Sequence, residues 1–144
     1  MDKSIALAVQ VPADPDRLFA ILTSTEGQRA TWTDDCEVSA DRARFGFPGT
    51  PVQLRVEVTT EPDRLVRMHV TEGFPHWGGS TWEWSLTPAA EGGTDVLFRH
   101  SGLGAGYPEL EFARCAQTWA RILDRLARYT DSGDPQPVFA AQPS

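Results

Sequence analysis

Cysteine is scarce in this chain of 144 residues: Cys36 and Cys115 stand far apart, with no CxxC pair and no histidine at zinc-finger spacing. No metal and no cofactor is expected, and two isolated thiols suit a reduced, cytoplasmic protein. Apolar runs of the ~18–20 residues that span a bilayer are missing too. The opening MDKSIALAVQVPADP carries one lysine and a short apolar run, but the run alternates as a strand does and no small-residue cleavage site follows, so a signal peptide is not expected. Positive charge is short: 13 Lys and Arg against 20 Asp and Glu leave a net charge of −7, the wrong sign for displacing the counterions of a nucleic acid. Neither nucleic acid nor membrane is expected as a partner. GxSxG is missing, neither cysteine has an identifiable histidine partner, and no internal repeat or second domain is expected.

What the chain does have is one long amphipathic helix near its end, PELEFARCAQTWARILDRLARYT, residues 108–130. On a helical wheel Phe112, Cys115, Ala116, Trp119, Ile122, Leu123 and Leu126 fall within roughly 60° of one line. Arg114, Gln117, Arg121, Asp124, Arg125 and Arg128 take the opposite face, which reads as solvated and held by pairs such as Asp124–Arg128. Pro108 suits the first helical position, Glu109 and Glu111 the positive N-terminus, and Gly133 the C-cap. Cys115 is expected in the core; Cys36 has no assignment.

Upstream, residues 4–11 alternate with Ile5, Leu7, Val9 and Val11 on one face, a half-buried strand. Asp14 is expected to cap a helix opening at Pro15, with Leu18, Ile21 and Leu22 inward. Thr25 and Gln28 resemble a capping box for a second short helix ending near Trp32. From Cys36 to Gly102 the pattern is β. Glu37–Ala40 and Arg44–Phe47 flank a turn; Val52–Thr59, Leu65–Thr71 and Ser80–Thr87 follow; a last strand carries Val96, Phe98 and His100 on one face. Tight turns between them describe an antiparallel meander. Gly102, Gly104 and Gly106 lack the GK[ST] of a phosphate cradle and serve as a flexible approach to the long helix. Residues 134–144, DPQPVFAAQPS, read as a Pro-rich C-terminal tail that Val138 and Phe139 could dock.

The expected fold class is α+β: a curved antiparallel sheet of six to seven strands, two short helices after the first strand, and a long C-terminal helix in the grip of the sheet. This order resembles the helix-grip fold of the START/pollen-allergen-like superfamily, also labelled SRPBCC. Within it the chain is similar to the branch of the heat-shock-protein-90 ATPase activator's C-terminal domain. VPADPDRLFAILTS resembles that branch's first strand-to-helix passage, Trp32 stands where an aromatic commonly follows the second helix, and GGTDVLFRHSGL and TWARILDRLARYTDSG resemble its last strand and helix. The resemblance covers about residues 3–133, and residues 1–133 are read as a single domain. One departure is Phe45-Gly46-Phe47 where Gly-Gly is often found, which narrows the expected cavity mouth. The superfamily hosts binders, cyclases and interaction modules, so the resemblance speaks for fold more than for activity.

Strand parity aims Trp82, Trp84, Phe98 and His100 inward with Met68, and the helix aims Phe112 and Trp119 at them. Trp32, Phe45 and Phe47 close one end, and His76 and Trp77 lie in the loop of residues 73–79, at the cavity mouth. These twelve are the expected ligand-binding residues, around a cavity for a small hydrophobic or aromatic molecule; the alternative is that the rings fill the space themselves. His100 is the best catalytic candidate, an imidazole able to bond a ligand carbonyl or move a proton, unless protein groups satisfy it. His69 has outward parity, and Glu83, Arg55 and Arg67 are expected on a charged outer face. Three functions stay open: a binder of a small hydrophobic ligand, a polyketide cyclase/aromatase-like enzyme using the same cavity, and a protein-interaction module of the chaperone-regulator kind. The oligomeric state is not legible.

Overall fold

A computed structural model describes residues 2–140; Met1 and the last four residues of the expected tail lie outside the described residues. In chain order the elements are β1 (Lys3–Val11), α1 (Pro15–Leu22), α2 (Thr25–Thr31), β2 (Cys36–Val38), β3 (Arg42–Gly46), β4 (Gln53–Glu61), β5 (Leu65–Glu72), β6 (Thr81–Pro88), β7 (Thr94–Leu103) and α3 (Glu109–Ser132). The strands form one curved antiparallel sheet of seven in the order β1-β7-β6-β5-β4-β3-β2. Its topology follows from one crossover: α1 and α2 carry the chain from β1 to the far edge, and a meander then returns it to pair β7 with β1.

Alternation decides the two faces. Leu54, Val56 and Val58 of β4, Val66, Met68 and Val70 of β5, Trp82, Trp84 and Leu86 of β6, and Val96, Phe98 and His100 of β7 are buried. The opposite face is charged: Arg67 Nε meets Glu83 Oε1 at 3.0 Å and Arg55 meets Glu72 at 3.5 Å. Such pairs stabilise by ~0–1 kcal/mol each, so they mainly keep the face wet. His69 is exposed and bonds Thr81 Oγ1 through Nδ1 at 2.9 Å, as its parity required. Gly133 ends α3 with φ 75°, its N–H donating to Tyr129 O.

Two cap assignments need correction, and a third, Asp14, holds in position without its side-chain bond. The N-cap of α2 is Ser24, whose Oγ accepts from Gly27 N at 3.0 Å, rather than Thr25. Thr25 Oγ1 instead accepts from Val38 N at 2.9 Å and ties the helix to β2, while Gln28 Nε2 donates to Leu22 O. A box read from two residues cannot see that a strand thirteen positions on competes for the hydroxyl. Asp14 occupies the N-cap of α1, yet its backbone carbonyl, not its side chain, receives the first helical bonds. Pro108 is the N-cap of α3 and not its first helical residue.

α1 and α2 meet at Gly27, where a Cβ would overlap the carbonyl of Ile21. Backbone cannot yield there as a side-chain end can, so Gly27→Ala is expected to cost about 3 kcal/mol. The check is a lower urea midpoint at unchanged m; an unchanged midpoint would mean the two helices slide apart freely.

Candidate functional site

α3 does not lie on the sheet evenly. Trp119, Ile122, Leu123 and Leu126 are buried, while Phe112, Cys115 and Ala116 on the same line are half-buried. The N-terminal half of the helix therefore stands off from the core. Two segments close in on the gap. One is the loop of residues 73–79, turned by His76 at φ 71°, a left-handed conformation that a non-glycine residue adopts at a cost. The other is the segment after Gly133, where Phe139 forms a parallel bridge with Thr33.

Between them remains a recess of about 270 Å³, walled by the rings of Trp32, Phe47, Phe74, Trp77, Trp119 and Phe139. Pro75, Tyr107, Cys115, Thr118 and Ile122 complete the lining, and Glu111 and Arg114 bring charge from α3. A larger hollow of about 890 Å³ lies over β2–β4, but its lining is a charged set including Glu37, Arg42, Arg44 and Glu57, without a ring. Arg44 there is paired with Asp35 at 3.1 Å. The smaller, aromatic recess is the candidate site, because apolar walls with few polar groups are what hold small organic molecules.

Of the twelve residues expected to bind a ligand, the recess brings together Trp32, Phe47, Trp77 and Trp119. Phe45, Met68, Trp82, Trp84, Phe98 and His100 are inward as parity required but lie in the packed core off the recess wall. Trp82 faces His100 and Trp84 faces Phe98 across β6 and β7, and Trp119 packs on them with its centroid 4.4 Å from Phe98 and 5.3 Å from Trp82. That deeper set fills its own space. Phe112 turns aside to Tyr107 and carries Lys3 Nζ over its ring at 5.2 Å. His76 is exposed and stacks on Tyr107 at 5.0 Å, behind the wall rather than in it. Phe74, Tyr107, Cys115, Thr118 and Ile122 were not anticipated. A signal existed for Cys115 and Ile122, which flank Trp119 at helical spacing on the same face; none existed for Phe74 and Tyr107, which sit in loops.

His100 is wholly buried and doubly bonded. Trp119 Nε1, which can only donate, reaches His100 Nδ1 at 3.1 Å, so Nδ1 accepts. In the neutral ring Nε2 then carries the proton and donates to Ser80 Oγ at 2.9 Å. Burial pushes its pKa down from the ordinary 6.5 to about 3. Both nitrogens are satisfied by the protein, and with Nε2 already protonated His100 cannot take a proton from Ser80. This side-chain chain knits β7, the start of β6 and α3 together; it is not a nucleophile and base.

At the recess itself Trp77 Nε1 donates to Tyr107 Oη at 3.2 Å, pinning the loop to the approach of α3. Trp77 stacks on Trp119 at 6.2 Å and 19°. Burial pushes the Tyr107 phenol up to about 12 and raises the Cys115 thiol, so both stay protonated at neutral pH. The arrangement can hold a flat molecule against the rings of its wall.

A family model described as "Activator of Hsp90 ATPase homolog 1-like protein" matches residues 12–131. Among solved structures, the chain is similar to the Aha1 dimer from Colwellia psychrerythraea, at 25% identity and TM-score 0.78 over 91% of this chain and 98% of that one. It is similar to DynU16, from the dynemicin biosynthetic locus, at 26% identity and TM-score 0.73, over 96% of this chain but only 51% of the other. A Mesorhizobium loti protein, 18% identical with TM-score 0.75 over 92% of this chain and 99% of that one, shares the fold. No curated protein matches the chain.

Proposed function

The chain belongs to the activator of Hsp90 ATPase homolog 1-like family, and we propose that it acts there as a binder of a small, flat, largely apolar molecule. The observation that carries this reading is the ring-walled recess of about 270 Å³ under the first half of α3. Its lining is mostly rings and apolar groups with few polar atoms, which suits a flat aromatic molecule. Likeness to a protein of a biosynthetic locus agrees with a small organic ligand. A cyclase-like enzyme is the less favoured form of the same reading, since His100 is sealed in the core and a reaction would have to run through Tyr107, Glu111 or Cys115. We place the protein in the cytoplasm on the same footing.

Trp fluorescence and thermal shift against fatty acids, flavonoids, sterols and polyketide-like aromatics test the proposal. Saturable quenching with a raised melting temperature is expected for the flat aromatic compounds. Trp77→Ala should weaken that binding about tenfold or more, as loss of a stacked wall ring does. A folded protein giving no saturable signal with any of them would sink the binder.

The second reading is a protein-interaction module, favoured by the family itself and by a similar structure that is a dimer. Sedimentation velocity and an Hsp90 ATPase assay address it: a dimer, or a raised ATPase rate unaffected by Trp77→Ala, would move the function to the outer surface.

A further inference from the structure

We propose that the segment after α3 belongs to the binding site, and that Phe139 sets the size of the molecule the recess admits; this rests on the small-molecule reading above. Gly133 breaks α3 with a left-handed turn and the chain doubles back toward α2. Gln136 N donates to Ala30 O at 2.9 Å, and Arg125 Nη1 reaches Gln136 Oε1 at 3.3 Å. Phe139 N donates to Trp32 O at 2.8 Å, and Asp34 N donates to Phe139 O at 3.0 Å. These bonds hold Phe139 in place, its ring edge-on to Phe47 at 5.3 Å and 86°, where it forms part of the recess wall.

Such a wall differs in kind from its neighbours. Trp119 is locked into the core by rings and a hydrogen bond, and Trp77 is pinned through Tyr107. Phe139 is half-buried, on a segment whose residues 134–136 are exposed, and it can leave by giving up its bridge to Thr33 and the two bonds at its own backbone, with α3 and the seven-stranded sheet intact. Pro135 and Pro137 restrict that segment to extended conformations, which lowers the entropy lost in laying it across the recess. With the ring in place that side of the recess is closed; with it gone, the side toward Phe47 lies open to a longer aromatic.

The test compares the intact chain, Phe139→Ala, Phe139→Leu and a chain stopped after Gly133, which keeps the α3 cap. The probes are 2-naphthol and 1-hydroxypyrene, titrated by fluorescence, with near-ultraviolet circular dichroism as the check of fold. The intact chain should prefer 2-naphthol. Phe139→Ala and the shortened chain should bind 2-naphthol about tenfold more weakly, the size of one lost ring contact, and shift the preference toward 1-hydroxypyrene. Phe139→Leu, which keeps most of the volume, should fall between. If the intact chain binds 2-naphthol and the ratio of the two affinities is the same in every variant, the inference is overturned while the binder stands. If a folded intact chain binds neither probe, this inference is overturned, and the binder stands or falls on the wider panel above.

Discussion

Trp119→Ala should remove most of the stability of the domain. The indole lies within 5.1 Å of Trp32, 5.3 Å of Trp82 and 4.4 Å of Phe98 between ring centroids, and its Nε1 donates into His100. Truncating a buried Trp costs about 3–5 kcal/mol through lost contact and the cavity left behind. Here it also strands His100 Nδ1 as a buried acceptor, worth about 1–3 kcal/mol more. The sum is comparable to the whole stability of an ordinary domain, about 5–15 kcal/mol, so the variant should be largely unfolded in mild urea. Trp119→Phe separates the two contributions, since it keeps most of the ring contact and deletes the N–H; a loss of about 2 kcal/mol is expected. Urea melts of both variants give the answer. A Trp119→Ala chain that loses under ~2 kcal/mol would show that neighbouring rings collapse into the space and that Trp119 is not the element joining recess to core.

The second large effect is in acid. His100 has a folded pKa of about 3 against the ordinary 6.5, with burial as the cause. Between those two values the unfolded chain binds a proton that the folded chain does not, so stability rises with pH in that window and is lost as pH falls through 6.5. The slope is about 1.4 kcal/mol per pH unit, so about 2 kcal/mol should disappear between pH 6.5 and 5 from this residue alone. Above 6.5 both states are neutral and the contribution is flat. Protonation would also put a donor at Nδ1 against the donor N–H of Trp119. The control is His100→Gln, whose amide can accept from Trp119 and donate to Ser80 but does not titrate. Subtracting its stability curve from the native one removes what the carboxylates contribute to both. A difference that stays level from pH 7.5 to 5 would mean that His100 is protonated in the folded state or reaches water.

The sequence determined by itself whatever depends on neighbours along the chain. Period two in Leu54–Val58 and Trp82–Leu86 settled the inner face of the sheet, and spacing around Trp119 settled the inner line of α3. Gly133 announced the end of that helix, and alternating charge announced the outer face. Each is a property of one segment, legible without knowing where the others go. The recess was not of that kind. Parity said that Trp82, Trp84 and Trp119 point inward, but not which rings would fill the core and which would edge an empty space. That is a difference between volumes supplied by α3, the loop of residues 73–79 and the segment after Gly133, and only their packing decides it. His100 makes the same point: its partners lie twenty residues before it and nineteen after, and their donors and acceptors, brought together by the fold, turned a candidate base into a structural strut.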